Sequence, residues 1–355
     1  MLDVDIAKTY GCFRLEATFS VADGETLALV GPTGCGKSTC LMTIAGIVTP
    51  ERGRVRFGER VLCDTEAGIS VPPEKRNIGV VFQDYALFPH LTAFENVAYG
   101  LRAKGTKGRA LKEKVLAALD MVGIRHLADR APLGLSGGER QRLALARAAA
   151  LDVPIMLLDE PISALDPHTR DSVRRELKAL IKSLGRTTIL VTHDPIDALT
   201  LGERICVLEG GKVQQTGSGM ELLLYPKTEF VARFMGANFF AGTVVGVDGD
   251  GVREVAVGAT KMFTVQKAEG EVNLSFLPSE VTLSLTAPVG SALNVFKGEV
   301  EDVVHLGDRV RISVSSDVRI VAEVSERWYT ALGLGEGQAV YASFKAAAVR
   351  AGGEE

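Results

Sequence analysis

The chain has 355 residues, of which 46% are hydrophobic and 24% are charged, so it can form two or three domains with substantial cores. Its formal net charge of −4 gives no broad basic field, which argues against nucleic acid as a partner. The five cysteines lack metal-ligand spacing, and the sequence shows neither a signal-peptide pattern nor an apolar run of the roughly 18 residues that cross a bilayer. We therefore expect any membrane function to depend on partner subunits.

The first strong pattern in chain order is a glycine-rich loop between a strand and a helix. Strand-like segments at 2–7 and 13–21 precede the apolar run 27–30, which leads into this loop. It fits the phosphate-binding P-loop pattern G-x-x-x-x-G-K-[ST] in its strand–loop–helix context. Its glycines would let backbone N–H groups surround phosphates, with Lys37 at the β- and γ-phosphates and Ser38 at Mg²⁺. The loop residues are Gly31, Pro32, Thr33, Gly34, Cys35, Gly36, Lys37, Ser38 and Thr39.

Three later strands are predicted to end in polar residues. The apolar run 78–82 ends at Gln83, a second run ends at Asp159 and Glu160, and a third is followed by Thr192 and His193. Because parallel strands place their carboxyl ends at the ligand-binding edge of a sheet, we expect these side chains to lie near the P-loop. Adjacent carboxylates at the end of a buried strand are costly unless a cation or water uses them. Asp159 suits Mg²⁺, and Glu160 suits a base for water.

Helical periodicity replaces the strand pattern over residues 84–152, which we interpret as a helical insertion into the nucleotide fold. Near its end, Ser136 and Glu139 have the spacing of a capping box. Gly137 and Gly138 in the same first turn cost helix stability, so their use must lie elsewhere. Close approach of backbone N–H groups to an anion is such a use.

Together these motifs resemble the ATP-binding subunits of ABC transporters over about residues 1–235. The signature LSGGERQR is diagnostic of that family, whereas the P-loop alone would allow many NTPases. The resemblance implies an α/β P-loop NTPase with a RecA-like core and a helical subdomain at about 84–152, with ATP and Mg²⁺ as cofactors. The matching elements are the P-loop, Gln83, the signature at 135–142, the second nucleotide motif at 155–161, the loop 163–166 and His193.

The resemblance further implies a homodimer that holds two ATP molecules head to tail. Each ATP would lie between the P-loop of one copy and the signature residues of the other. Tyr10 matches the aromatic residue that stacks on adenine, and residues 82–96 would form the groove for a coupling helix of an integral membrane permease. The residues that act on the opposing site would be Ser136, Gly137, Gly138, Glu139 and Asp166.

The chemistry that this family implies is attack of water on the γ-phosphate. Glu160 would position and deprotonate the water, His193 would contact the γ-phosphate, and Lys37 would stabilise charge in the transition state. The Mg²⁺ site would be formed by Ser38, Gln83 and Asp159, and Gln83 would sense both the metal and the attacking water. The subunit would be peripheral, on the cytoplasmic face of the inner membrane, with an extracytoplasmic solute-binding protein as an indirect partner.

Residues 236–355 change to short strands with glycine turns, which predicts a second, all-β domain. This part contains a weak repeat, in which 238–244 matches 294–300 and 272–276 matches 340–344. Two similar small barrels, or two lobes of one, would explain the repeat.

The second copy resembles the molybdate-binding Mop or TOBE domain, which implies a small OB-like regulatory domain. In that family an S-A-R-N stretch and a later lysine hold an oxyanion. Here Ser291 and Asn294 are present but the arginine is missing, and Lys345 has Leu277 as its counterpart in the first copy. Whether the domain binds a regulatory oxyanion is therefore left open beside a packing or oligomerisation role.

The preferred function is an ATPase subunit for import of molybdate or tungstate. Sulfate, sugars, ferric iron and polyamines are alternative cargoes because their importers share this architecture. A soluble ABC ATPase for DNA repair or translation usually carries two nucleotide domains or long insertions, whereas this chain has one P-loop and no basic face. A binding-only protein is disfavoured because Lys37, Glu160 and His193 are all present.

Overall fold

The computed structural model describes residues 1–163 and 167–352, in two compact units, Met1–Gly219 and Met220–Glu355. The domain boundary predicted from sequence lies at residue 235, so the two divisions differ by the segment 220–235. Across the described part of the chain, every helix is too short or too polar to span a membrane.

The described residues of the first unit form an eleven-stranded mixed sheet. The strand order is β6-β5-β4-β1-β2-β11-β10-β3-β9-β8-β7, and the strands from β10 to β7 run parallel. The strands are β1 (Leu2–Tyr10), β2 (Phe13–Val21), β3 (Thr26–Val30), β4 (Arg52–Phe57), β5 (Arg60–Asp64), β6 (Ile69–Ser70), β7 (Ile78–Val81), β8 (Ile155–Asp159), β9 (Thr187–Val191), β10 (Arg204–Glu209) and β11 (Lys212–Gly217).

The central parallel strands are buried along their whole length. Every residue of β3, β8 and β9 is buried, as expected for sheet strands that are covered on both faces. The helices of this unit are α1 (Lys37–Ala45), α2 (Pro73–Arg76), α3 (Ala93–Ala103), α4 (Gly108–Met121), α5 (Gly137–Ala149), α6 (Pro167–Leu184) and α7 (Pro195–Leu201), with short 3-10 turns at Arg125–Leu127 and Pro132–Gly134.

Helices α3, α4 and α5 lie within residues 84–152 and pack around a core of their own. Val97, Val115, Leu119 and Leu143 are fully buried in that core. A separate apolar cluster of sheet residues and α1 lies beneath the P-loop. The helical subdomain therefore has a core of its own, while α5 also packs against β7 of the sheet.

The second unit contains two five-stranded antiparallel sheets, with orders β14-β13-β12-β15-β21 and β16-β20-β17-β18-β19. Its strands are β12 (Asn238–Val247), β13 (Arg253–Val257), β14 (Thr260–Thr264), β15 (Glu271–Phe276), β16 (Thr282–Ser284), β17 (Asn294–Leu306), β18 (Arg309–Ser315), β19 (Arg319–Ser325), β20 (Ala339–Phe344) and β21 (Arg350–Gly352). Its helices are α8 (Gly219–Leu224), which starts at the boundary, α9 (Glu229–Met235) and α10 (Glu326–Leu332), with 3-10 turns at Pro278–Glu280 and Ala346–Ala348.

The weak sequence repeat corresponds to these two sheets. Asn238 pairs with Phe276 across β12 and β15, and Asn294 pairs with Phe344 across β17 and β20, in the same register. The two copies exchange their last strands, because β16 follows the first copy but pairs with β20, while β21 follows the second copy but pairs with β15. Because of this strand exchange, the two copies form a single body and not two separate barrels.

Candidate nucleotide site

The phosphate-loop glycines are required by the backbone. Gly31, Gly34 and Gly36 have φ values of 155°, 81° and 105°, and a Cβ on Gly31 would lie 1.9 Å from the carbonyl oxygen of Leu208. Helix α1 begins at Lys37, and Gly36 supplies no side-chain cap. The amide groups of the first turn are therefore left for an external anion.

The Lys37 side chain is folded onto its own loop. It is buried, and its Nζ donates hydrogen bonds to the carbonyl oxygens of Gly31 at 2.8 Å and Pro32 at 2.9 Å. The Cys35 Sγ lies 3.7 Å from the same Nζ, and burial raises the pKa of the Cys35 thiol although Lys37 opposes the shift. The ammonium is thus held at the loop by carbonyl groups that phosphate oxygens could replace.

The four side chains predicted at strand ends make three contacts beside the loop. Glu160 accepts a hydrogen bond from Gln83 Nε2 at 3.2 Å, and its other oxygen lies 3.1 Å from His193 Nδ1. Ser38 Oγ donates to Asp159 Oδ1 at 3.4 Å. Desolvation raises the pKa of the buried Asp159 carboxyl, although the Ser38 hydrogen bond opposes the shift. The expectation that the carboxyl ends of β7, β8 and β9 share one edge is met.

Glu160 itself has an unusual backbone conformation. Its φ is +46°, in the left-handed region that non-glycine residues rarely occupy, and its N–H donates to the carbonyl oxygen of Val191 at 3.0 Å. Such conformations persist only where the surroundings fix them, and they cluster at functional sites. The turn after β8 therefore aims the Glu160 carboxylate between Gln83 and His193.

These residues share an open cavity of about 700 Å³. Tyr10 lies at its rim, 46% exposed, and pairs with Phe13 across the β1–β2 hairpin. Phe13 was not predicted as a site residue; its position three residues after Tyr10, across a tight turn, is the signal that could have found it. The lining residues are Tyr10, Phe13, Thr33, Gly34, Gly36, Lys37, Ser38, Thr39, Gln83, Glu160 and His193.

The signature residues do not line this cavity within one chain. Ser136 Oγ accepts from the Glu139 N–H at 3.3 Å while the Glu139 carboxylate accepts from the Ser136 N–H at 2.7 Å, so the predicted capping box is confirmed. Space beside Gly137 is open to 4 Å, as close approach of a ligand to the Gly137–Gly138 backbone would need. Asp166, the other residue predicted to act on an opposing site, lies outside the described residues.

A contact that sequence reasoning missed joins α5 to the segment after Gln83. Tyr85 and Ala86 have φ values of 64° and 42°, and Arg147 of α5 donates to their carbonyl oxygens at 2.8 and 2.6 Å. Desolvation lowers the pKa of the Arg147 guanidinium. Helix α5, which begins at the signature, is therefore hydrogen-bonded to the backbone turn that follows Gln83.

The predicted oxyanion residues are only partly available. Asn294 is 1% exposed, and both polar atoms of its side-chain amide are engaged: Oδ1 accepts from the Phe263 N–H at 2.8 Å and Nδ2 donates to the Phe263 carbonyl oxygen at 3.0 Å. Ser291 and Lys345 are exposed, and Lys345 directly follows the strand partner of Asn294. Lys345 also lines a small cavity of about 210 Å³ that includes Arg350. An anion here would therefore meet Lys345 but not the Asn294 side chain.

Comparison with known proteins supports the interpretation of the sequence motifs. The family model described as ABC transporter matches residues 15–163, and the TOBE domain model matches residues 290–351. The chain is 38% identical over 353 residues to the molybdate/tungstate import ATP-binding protein WtpC of Pyrococcus horikoshii, covering 98% of this chain and 99% of that protein. It is 40% identical over 330 residues to the spermidine/putrescine import ATP-binding protein PotA of Frankia alni, covering 89% of this chain and 69% of that protein.

Among solved structures, the chain resembles a dimeric ATP-binding cassette in a post-hydrolysis state bound to ADP and Pi. The TM-score is 0.53 and the identity 35%, and the match covers 61% of this chain and 98% of that chain. The predicted family resemblance and fold class are confirmed by these matches. The chain therefore belongs to the ABC transporter family, as an ATP-binding protein with a C-terminal TOBE domain whose ATP hydrolysis is coupled to transport.

Proposed function

We propose that this protein energises import of molybdate or tungstate through separate permease subunits. The observation that carries the ATPase part is the Glu160 carboxylate, held between Gln83 and His193 at the edge of the P-loop cavity. The assignment of molybdate or tungstate as the cargo is supported by the similarity to WtpC, which extends through both units of the chain. The relatives that import polyamines or ferric iron make those solutes the alternatives that the experiment must separate.

The proposed mechanism assigns one task to each polar group at the cavity. Glu160 orients the attacking water and accepts its proton, because it is the carboxylate that faces the open cavity. His193 contacts the γ-phosphate and keeps the Glu160 carboxylate in place. Lys37 exchanges its loop carbonyls for β- and γ-phosphate oxygens and stabilises the charge that develops there. Tyr10 stacks on adenine.

Mg²⁺ fits the oxygen donors present at this site. The Ser38 hydroxyl and the Asp159 carboxylate lie 3.4 Å apart at the start of α1, and hard oxygen donors of this kind suit that ion. Ser38 and Gln83 would hold it, and Asp159 would balance its charge. When bound, Mg²⁺ neutralises charge on the β- and γ-phosphates.

A complete site would need a second copy of the chain. Ser136 and the two glycines after it would approach the ATP held on the P-loop of the other copy, and Asp166 would act on that same site. The solved cassette with ADP and Pi is dimeric, which supports this arrangement. The dimer would bind permease subunits at the cytoplasmic face of the membrane, through the groove formed by residues 82–96.

The TOBE domain would bind oxyanion as a regulator. Lys345 is exposed beside the Ser291–Asn294 stretch, so its ammonium and nearby backbone N–H groups would hold a tetrahedral dianion. Calorimetry of the full chain should detect molybdate or tungstate binding that Lys345→Ala weakens. If none of molybdate, tungstate and sulfate binds at millimolar concentration, this regulatory role fails and the ATPase role is untouched.

The cargo is tested with the reconstituted transporter. The chain is assembled with its permease in proteoliposomes, and ATP hydrolysis is measured with the binding protein and one solute at a time. Molybdate and tungstate should stimulate hydrolysis, whereas sulfate, spermidine, ferric iron and maltose should not. Stimulation by one of the latter solutes alone would replace the proposed cargo.

A further inference from the structure

A buried arginine on α6 contacts the segment that carries His193. Arg174 has a side chain only 8% exposed, and its Nε donates to Asp197 Oδ1 at 2.6 Å. Two more carboxylates face the same guanidinium, from Asp171 at 2.5 Å and from Asp194 at 4.0 Å. Arg174 therefore joins α6 to the start of α7.

The same contacts continue to both neighbours of His193. Thr192 Oγ1 donates to the second oxygen of Asp197 at 3.4 Å and accepts from the Asp194 N–H at 3.1 Å. Asp194 caps α7, accepting from the N–H groups of Ile196 at 2.7 Å and Asp197 at 3.1 Å. The residues before and after His193 are thus fixed by one hydrogen-bonded network. Arg174 connects this network to α6 through its hydrogen bond to Asp197.

The His193 ring is less constrained than the backbone that carries it. It is 59% exposed and meets the Glu160 carboxylate at 3.1 Å. Its position therefore depends on where β9 ends and where α7 begins, and the network sets both. Displacement of a reacting group by about 1 Å is enough to cost on the order of a hundredfold in rate.

The network is costly if its purpose is only stability. Taking Arg174 and Asp197 out of water offsets most of their attraction, and apolar residues of similar size often serve equally well. Desolvation raises the pKa of the Asp197 carboxyl in spite of its arginine partner, whereas at Arg174 desolvation is outweighed by the hydrogen bond to Asp197 and by the other carboxylates, which raise the pKa of the guanidinium. A geometric role explains why charged groups are used there.

We propose that Arg174 is a positioning residue for ATP hydrolysis, which through Asp197 fixes the Thr192–Asp194 backbone so that His193 meets Glu160. The inference rests on the proposed function of His193 and Glu160. It predicts that loss of the Arg174–Asp197 geometry moves the His193 ring and lowers turnover even where the fold is intact.

The experiment compares Arg174→Met, Arg174→Lys and the double variant Arg174→Met/Asp197→Leu with the unaltered protein. Arg174→Met should lower kcat by about 10- to 100-fold, with KM for ATP changed by less than about twofold, because the P-loop is not touched. The double variant should recover the melting temperature but not kcat. Arg175→Met, at an exposed position on the same helix, is the matched control and should leave both unchanged.

A second readout follows the His193 ring itself in the full chain with labelled histidine. Each Arg174 variant should shift or broaden the His193 ring signal, identified with His193→Gln, while His305 beside Glu326 serves as the internal reference. Recovery of both melting temperature and kcat in the double variant, or an unmoved His193 signal with unchanged kcat in a folded Arg174→Lys, would overturn the proposal. If His193→Gln hydrolyses ATP normally, the function proposed for His193 fails separately, and the ring signal still reports whether Arg174 positions it.

Discussion

The Lys37 ammonium donates a hydrogen bond to the carbonyl oxygen of Gly31 at 2.8 Å, so the phosphate loop holds this cation against its own backbone. ATP phosphates would replace this carbonyl and that of Pro32 with charged acceptors. Each charge-assisted bond is worth about 1.5–3 kcal/mol, so Lys37→Ala should weaken ATP binding by about ten- to a hundredfold. Equilibrium binding of a fluorescent ATP analogue measures this. Lys37→Arg keeps the charge but not the compact ammonium, so it should recover little of the affinity. Unchanged affinity in Lys37→Ala would contradict the assignment.

The signature is predicted to act on ATP bound to the opposite copy. Ser136→Arg should leave ATP binding to the monomer nearly intact but block formation of a closed dimer, because the arginine would occupy the space beside Gly137. Mixing Ser136→Arg with Lys37→Ala should yield dimers with one sound composite site and one doubly damaged site. We expect one ATP enclosed at the interface of each mixed dimer, and almost no enclosed ATP in either variant alone, although Ser136→Arg still binds ATP as a monomer. If mixing recovers no site, the head-to-tail arrangement is wrong.

Two asparagines join the two repeat copies within the second unit. The Asn294 amide accepts from the Phe263 N–H at 2.8 Å and donates to the Phe263 carbonyl oxygen at 3.0 Å. The Asn238 amide makes the same pair of hydrogen bonds to Val321, at 2.8 Å each. Either substitution to alanine leaves a part-buried backbone N–H and C=O without their asparagine partner, so each should lower the free energy of unfolding of this unit by about 1–3 kcal/mol. Urea unfolding measures the loss. Lys345→Ala, at an exposed position, is the control and should change stability by less than about 0.5 kcal/mol.

Cys35 is predicted to resist alkylation. It is 4% exposed, and burial raises the pKa of its thiol, so the reactive thiolate is scarcer at neutral pH than for an ordinary cysteine. Mass spectrometry after iodoacetamide treatment should find the exposed Cys12 modified first. Raising the pH towards and above the elevated pKa should speed modification of Cys35, and ATP should slow it. Equal modification of Cys35 and Cys12 at pH 7 would show that the loop opens more than its contacts suggest.

Local patterns predicted the parts of the site that depend on neighbours in sequence. The P-loop glycines, the Ser136–Glu139 capping box and the strands that lead to Gln83 and Asp159 all follow from periodicity and turn chemistry over a few residues. The parallel order of β3, β9, β8 and β7 then brings the strand ends together.

Features that depend on distant partners could not be predicted from the sequence. Asn294 matched an anion-binding stretch, yet its side chain binds Phe263, 31 residues away in sequence. The left-handed conformation of Glu160 is fixed by the end of β9 and not by its own residue type. Arg174 appeared as one charged residue in a helical pattern, and only the packing of α6 on α7 reveals its carboxylate partners.

The central claim is that Glu160 is the base for water in a transport ATPase, and Glu160→Gln tests it most directly. The amide keeps the size of the side chain and can still contact Gln83 and His193, but it cannot accept a proton from water. In the purified complex with the permease, ATP binding should persist, turnover should fall by about a hundredfold or more, and an ATP-bound dimer should accumulate. Hydrolysis at a near-normal rate by this variant, with ATP binding intact, would contradict the account.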